Sequence, residues 1–219
     1  MKKILVLFAH PRTDRSEVNV VLAEAAQRVE AVTFVDLYHE YPTFEIDVEK
    51  EQQRLIEHDV LVFQHPVYWY SSPAILKEWQ DLVLEYGFAY GSEGTALAGK
   101  LFFNAVTAGA RRAVYCSQGA YKYELRDFFA PFEQSFLLCR MQYLPPFCLF
   151  AAGHAQDEER LAAHADDYER LLRAVAEDRI DFDRATEALT LSDNLDSFIL
   201  PANGQSNNGQ NDKQSKGEG

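Results

Sequence analysis

The chain has 219 residues, 47% hydrophobic and 13% aromatic, and carries a net charge of −13. That composition supports one large core plus appendages. It excludes nucleic-acid binding and capture by anionic lipid through bulk charge. No apolar run reaches the ~20 residues of a membrane span.

The first apolar run, residues 3–8, predicts a strand. The preceding MKK and this run superficially suggest a signal peptide, but His10-Pro11 interrupts the run and no small-residue cleavage site follows. The protein is therefore expected to be cytoplasmic. The next stretch, AHPRTDRSEVN, leads into a helical pattern at 17–29. Ser16 is a good helix cap, with Asn19 three residues on. Two readings stay open there: an ordinary helix start, or a cradle in which free N–H groups and the positive end of the helix dipole hold a phosphate. No Walker lysine motif and no GxGxxG is present.

A second strand is predicted at 32–36, followed by DLYHEYPTFEID and a helix at 48–58. Tyr38, Tyr41, Pro42 and Phe44 put apolar rings in that connection, where they read either as exposed anchors for a protein partner or as cover for a helix or pocket. The third strand, 60–64, runs into QHPVYWYSSP, which holds Tyr68, Trp69 and Tyr70 together. Such a cluster suits stacking on a planar ligand or a dimer contact. A helix follows at 73–86, then a strand at 101–106.

The loop after that strand, TAGARRAVYCSQGAY, begins with the small residues Thr107, Ala108, Gly109 and Ala110, which admit close backbone approach to a ligand. Arg111 and Arg112 follow, reading either as a solvated turn or as an attraction for an anionic cosubstrate. Tyr115 and Tyr121 are candidate hydrogen-bond donors. A helix at 123–139, a strand at about 143–150 and a helix at 157–176 complete the alternation. The cysteines (Cys116, Cys139 and Cys148) are odd in number with no CxxC, and the six histidines are scattered, so reduced thiols and no metal site are expected.

Several strands are apolar throughout, the mark of strands buried on both faces. Strand–helix alternation predicts an α/β, flavodoxin-like doubly wound fold: a five-stranded parallel sheet of order 2-1-3-4-5 with helices on both faces. Its ligand crevice lies beyond the carboxyl ends of the strands. Residues 1–176 are expected to form this flavin-binding domain, 177–200 an extension packed on the body or on a dimer partner, and 201–219 a disordered tail without large apolar residues. Three loops then converge on one crevice, supplying an anion site, an aromatic wall and a small-residue floor. A flavin mononucleotide fits all three.

The pattern AHP with Ser16-x-x-Asn19, then Pro66-x-x-Trp69-x-x-x-Pro73-Ala74-x-Leu76-Lys77-x-Trp79, then Thr107-x-Gly109, resembles the flavodoxin-like NAD(P)H quinone dehydrogenase family over about residues 3–176. DLYHEYPTFEID, FQHPVYWYSSPAILKEW, EGTALAGK and CRMQYLPPF most resemble the ancillary oxidoreductases of glutathione-gated Kef potassium efflux systems. The resemblance implies FMN as cofactor (FAD serves larger relatives), with its phosphate at His10, Ser16, Val18 and Asn19. It places the isoalloxazine against Pro66, Val67, Tyr68, Trp69 and Tyr70, and the far edge of the ring at Thr107, Ala108, Gly109 and Ala110. It further implies a homodimer, NAD(P)H as cosubstrate, a quinone or similar electrophile as acceptor, ping-pong hydride transfer, and a membrane potassium/proton antiporter as partner, which would put the protein at the inner face of the cell membrane. A flavin-containing activator with little or no turnover is the competing implication.

Two departures matter. The family's Thr-Thr-Gly-Gly is here Thr107-Ala108-Gly109-Ala110, and its Tyr…His pair is Tyr115 and Tyr121. A phenol, ionising near pH ~10, is a poorer proton source at neutrality than imidazole.

Overall fold

The computed structural model describes residues 1–201. The expected tail therefore lies, beyond Pro201, outside the described residues. The sheet is built from β1 (Ile4–Phe8), β2 (Val32–Asp36), β3 (Val60–Pro66), β4 (Leu101–Thr107), β5 (Gln142–Tyr143) and β6 (Phe147–Leu149). Its order is β2-β1-β3-β4-β5, with β6 also paired to β4, and every pairing is parallel. The helices are α1 (Glu17–Gln27), α2 (Leu37–Glu40), α3 (Val48–Glu57), α4 (Ala74–Val83), α5 (Ala130–Leu138), α6 (Arg160–Ala176) and α7 (Phe182–Thr186).

Alternation along the strands divides the core into two layers. Leu5, Leu7, Leu61, Phe63, Phe102 and Val106 join the apolar side of α3, α4 and α5. Ile4, Val6, Val60, Val62, Leu101 and Phe103 join α1 and α6. Successive side chains of a strand point to opposite faces, so a sheet covered on both sides needs runs without polar gaps. β1, β3 and β4 are buried at every position.

Two sequence expectations are corrected. The single strand expected at 143–150 is two short ones. Pro145 and Pro146 lack the N–H that a ladder requires; β5 pairs with the start of β4 and β6 with its end. Likewise the helix expected from 123 begins as a 3-10 turn, Leu125–Phe129, before α5. The segment 177–200 packs on the body, burying Ala185, Leu191, Leu195 and Phe198 against the α6 layer.

The tyrosine-rich connection after β2 is also not what its composition suggests. It opens with α2, and Tyr41 is buried, its hydroxyl donating to Glu51 at 2.6 Å. Tyr38 and Phe44 are half-buried and pack edge to face, ring centroids 5.7 Å apart. Of the two readings, cover for the core holds for Tyr41; Tyr38 and Phe44 pack against the same layer while keeping part of their surface, and Pro42 is exposed.

His164 of α6 lies flat on Phe147, ring centroids 4.4 Å apart. Burial, with the nearby Arg160 charge, lowers its pKa to about 4. Burial also lowers that of the fully enclosed His65. The unfolded chain then binds more protons than the folded one between about pH 4 and 6.5, so stability is full above that window and falls as the pH drops through it. His164→Leu is expected to flatten this decline, seen as a smaller change in urea midpoint between roughly pH 7 and 4.5. An undiminished change would acquit His164.

Candidate functional site

The loops after β1, β3, β4 and β6 leave the carboxyl edge of the sheet side by side, and a cleft of about 350 Å³ opens between them. Its floor is the start of α1. Ser16 caps this helix: its Oγ accepts the Asn19 backbone N–H at 3.3 Å and the Asn19 Nδ2–H at 2.9 Å. With both lone pairs used, the Ser16 hydroxyl hydrogen is left for a ligand. The N–H groups of Glu17 and Val18 have no partner among the described residues, as expected of a first helical turn. Asn19 is 4% exposed, and its Oδ1 accepts the Thr107 hydroxyl at 3.2 Å, so the loops after β1 and β4 are joined across the sheet.

His10 stands on the wall of this cleft. Its Nδ1 accepts the Arg12 N–H at 3.1 Å, which leaves the proton on Nε2, 3.4 Å from the Tyr68 hydroxyl. Burial lowers its pKa. The ring is thus a neutral donor at the cleft. Helix N–H groups, a serine hydroxyl, an imidazole N–H and the Arg15 side chain surround one space. That donor set suits a phosphate. Gly109 lines the cleft, and a Cβ built on it would meet no protein atom within 4 Å.

The aromatic loop folds as a tight turn in which Tyr68 and Ser71 exchange both backbone hydrogen bonds at 3.0 Å. Trp69 and Tyr70 take φ of 50° and 64°. Left-handed backbone costs a bulky side chain free energy and is held where the surroundings impose it, often at binding sites. Trp69 is 93% exposed at the tip. Tyr70 turns away from the His10 end and packs on Tyr121 and Phe128, ring centroids 5.5 and 5.1 Å away. The N–H groups of Trp69, Tyr70 and Gly109 have no partner among the described residues.

Of the residues expected to bind a flavin, His10, Ser16, Val18, Asn19, Pro66, Val67, Tyr68, Thr107 and Gly109 line this one cleft. Trp69, Tyr70, Ala108 and Ala110 do not. Ala108 is fully buried and its N–H donates to Leu149 O at 2.9 Å, so neither its side chain nor its N–H is available to a ligand. Arg15, Glu17, Ala152, Gly153 and Gln156 also line the cleft and were missed. The last three follow β6, whose end is at the same sheet edge, so the topology was the signal that would have found them.

Tyr115 and Tyr121 pack edge to face, ring centroids 5.0 Å apart. Tyr115 is only 3% exposed, and burial pushes its phenol up to about 12. Tyr121 is half-buried and is the one of the two with surface to offer. Arg111 pairs with Glu158 at 2.7 Å and Arg112 with Asp193 at 2.9 Å, so both charges already have partners in the fold. Among the described residues no cluster of three or more His, Cys, Asp or Glu suits a metal ion, and no helix is long and apolar enough to cross a membrane.

Known proteins resemble this chain in sequence and fold. The chain is 46% identical over 171 residues, 78% of its length and 93% of the relative's, to the glutathione-regulated potassium-efflux system ancillary protein KefG of Serratia proteamaculans. The crystal structure of general stress protein 14 from Treponema denticola in complex with FMN superposes with a TM-score of 0.74 at 39% identity, covering 78% of this chain and 98% of that one. An NADPH-quinone reductase from P. pentosaceus superposes at 0.70 with 28% identity, covering 77% and 96%. A family model described as flavodoxin-like fold matches residues 2–172. The β2-β1-β3-β4-β5 sheet and that match together make the chain a member of the flavodoxin-like fold family, as its motifs predicted.

Proposed function

We propose that the protein is an FMN-dependent NAD(P)H:quinone oxidoreductase, of the EC 1.6.5 class, working by two-electron hydride transfer. The observation that carries this reading is the cleft where the phosphate-type donor set of α1 and the small-residue loop after β4 meet. The likeness to an FMN-bound structure supports it. When bound, FMN supplies the redox chemistry, taking hydride from NAD(P)H and passing two electrons to the acceptor. The chain holds and orients. Ser16, His10 Nε2 and the first turn of α1 would hold the phosphate. The unpartnered N–H of Gly109, on the cleft wall, would be a donor to the polar edge of the ring, and those of Trp69 and Tyr70, on the neighbouring turn, could supply others. Tyr121 offers its hydroxyl to the acceptor oxygen. One slot serving donor and acceptor in turn implies ping-pong kinetics.

The protein acts, on this reading, as a homodimer. A groove of about 550 Å³ between α4 and α5 is lined by Leu84, Tyr90, Phe132 and the exposed Leu138, with Lys77 and Asp81 at its polar side. A groove with apolar walls and a polar rim is a usual site of association. A released-flavin spectrum of the purified protein, with initial rates at several NAD(P)H and quinone concentrations, tests the whole. Bound FMN and parallel double-reciprocal plots are expected; a colourless protein that takes up no FMN overturns it.

A second reading, a weakly catalytic activator subunit docked at the cytosolic face of a potassium/proton antiporter, is favoured by the likeness to KefG and by the tyrosine at 121. Proton supply separates the two. Tyr121→His is expected to raise quinone turnover near neutral pH, and Tyr121→Phe to lower it. Equal rates in both variants and the parent would place Tyr121 away from the acceptor. A yellow protein with negligible turnover would select the activator.

A further inference from the structure

The segment 177–200 lies beyond the family match, which ends at residue 172. It forms a closed excursion. Ile180 pairs with Ile199, and the Asp181 N–H donates to Phe198 O at 2.8 Å, so its two ends meet. Between them it reaches across the outer edge of β6. The Leu191 N–H donates to Pro146 O at 3.0 Å, and Ser192 Oγ accepts from Cys148 N–H at 3.1 Å and donates to Cys148 O at 2.9 Å. A sheet edge that would otherwise stand open is thereby covered.

From this seat the excursion takes hold of the loop that follows β4. Asp193 accepts two hydrogen bonds from Arg112, Nε at 3.1 Å and Nη2 at 2.9 Å. The same guanidinium reaches Glu124 at 3.6 Å and lies 5.4 Å from the centre of the Phe150 ring. Phe150 packs on Tyr115, ring centroids 5.4 Å apart. Arg112 also opens the 3-10 turn that presents Tyr115, whose N–H donates to Arg112 O at 3.0 Å. The Tyr121 N–H donates to Val114 O at 3.1 Å, and a Cβ on Gly119 would approach that oxygen to 2.4 Å, so the loop is wound tightly on this turn. At its far end Arg126 donates to the carbonyls of Thr186 and Ala188, at 2.6 and 3.0 Å. Both ends of the loop are therefore tied to the extension.

We infer that Asp193 is a positioning residue: by clasping Arg112 it holds the loop 110–121, with Tyr115 and Tyr121, closed at the acceptor end of the cleft. The term acceptor end rests on the function proposed above; the clasp itself does not. It makes the extension part of the site while leaving the phosphate end, at α1, independent of it.

Amide hydrogen exchange on the full-length protein tests this without reference to turnover. In Asp193→Asn, amides of 110–121 are expected to exchange about threefold to fivefold faster, the scale of a partly exposed ion pair. Those of α1 and β1 should exchange as in the parent. Asp193→Glu, which keeps the charge, should retain most of the protection that Asp193→Asn loses. With activity present, the quinone KM should rise by a similar factor in Asp193→Asn while kcat and flavin content hold. Unchanged exchange at 110–121 would overturn the clasp. So would acceleration spread evenly over the chain, which would make Asp193 a contributor to global stability alone. A parent without turnover defeats the proposed function, and the exchange result still decides the clasp.

Discussion

Glu51→Ala is expected to lower the unfolding free energy by about 3–5 kcal/mol, the cost of breaking a buried charged pair by removing one partner. Glu51 is fully buried. It accepts the Tyr41 hydroxyl at 2.6 Å, the Trp79 Nε1–H at 2.9 Å and a hydrogen bond from Arg54. Alanine would strand two neutral donors in the core and turn Arg54 toward Glu40 alone, 3.4 Å away. The cluster ties the connection after β2 to both α3 and α4, which explains why Tyr41 is inside rather than on a docking surface. Burial and the neighbouring carboxylate raise the Tyr41 pKa, so it remains a donor throughout the physiological range. Glu51→Gln keeps one acceptor oxygen and is expected to fall between alanine and the parent. Urea unfolding of the three proteins measures this. A loss below about 1 kcal/mol for alanine, the worth of one ordinary hydrogen bond, would show that the cluster is dispensable. Because Glu51 does not line the cleft, the folded fraction should still bind flavin.

Ser16→Ala combined with Asn19→Ala is expected to weaken FMN binding by roughly tenfold or more, since a hydrogen bond to a charged group is worth about 1.5–3 kcal/mol. The structure adds a reason beyond direct contact. Asn19 links Ser16 to Thr107, so it fixes the cap of α1 against the end of β4. Without it the donors of the first helical turn lose their frame, and loss of the cap costs the helix about 1 kcal/mol as well. Equilibrium dialysis against graded FMN, with circular dichroism to confirm the fold, reads the effect. Flavin retention equal to the parent's would put the phosphate elsewhere.

What the sequence by itself determined is the part that depends on local pattern. Short uninterrupted apolar runs such as ILVLF and VLVF, alternating with helical patterns, read as strands covered on both faces, and the alternation leaves few topologies. The order 2-1-3-4-5 followed, and with it the sheet edge where His10, Ser16, Asn19, Tyr68, Thr107 and Gly109 meet. A cap and a small-residue turn are likewise visible as residue types. The tertiary structure alone decided matters that depend on partners distant in the chain. Ala108 and Gly109 are adjacent and both small, yet one is sealed by Leu149 and the other opens on the cleft. Tyr115 and Tyr121 are alike in sequence, but only packing buries the first. Arg112 read as a solvated or ligand-seeking charge until Asp193, 81 residues away, was found to hold it. Tyr41 read as an anchor until Glu51 and Trp79 were found to enclose it. Periodicity reports which face of an element is apolar; which polar group meets which, and so which remains free for a ligand, is settled only when the layers close and each buried donor must find its acceptor.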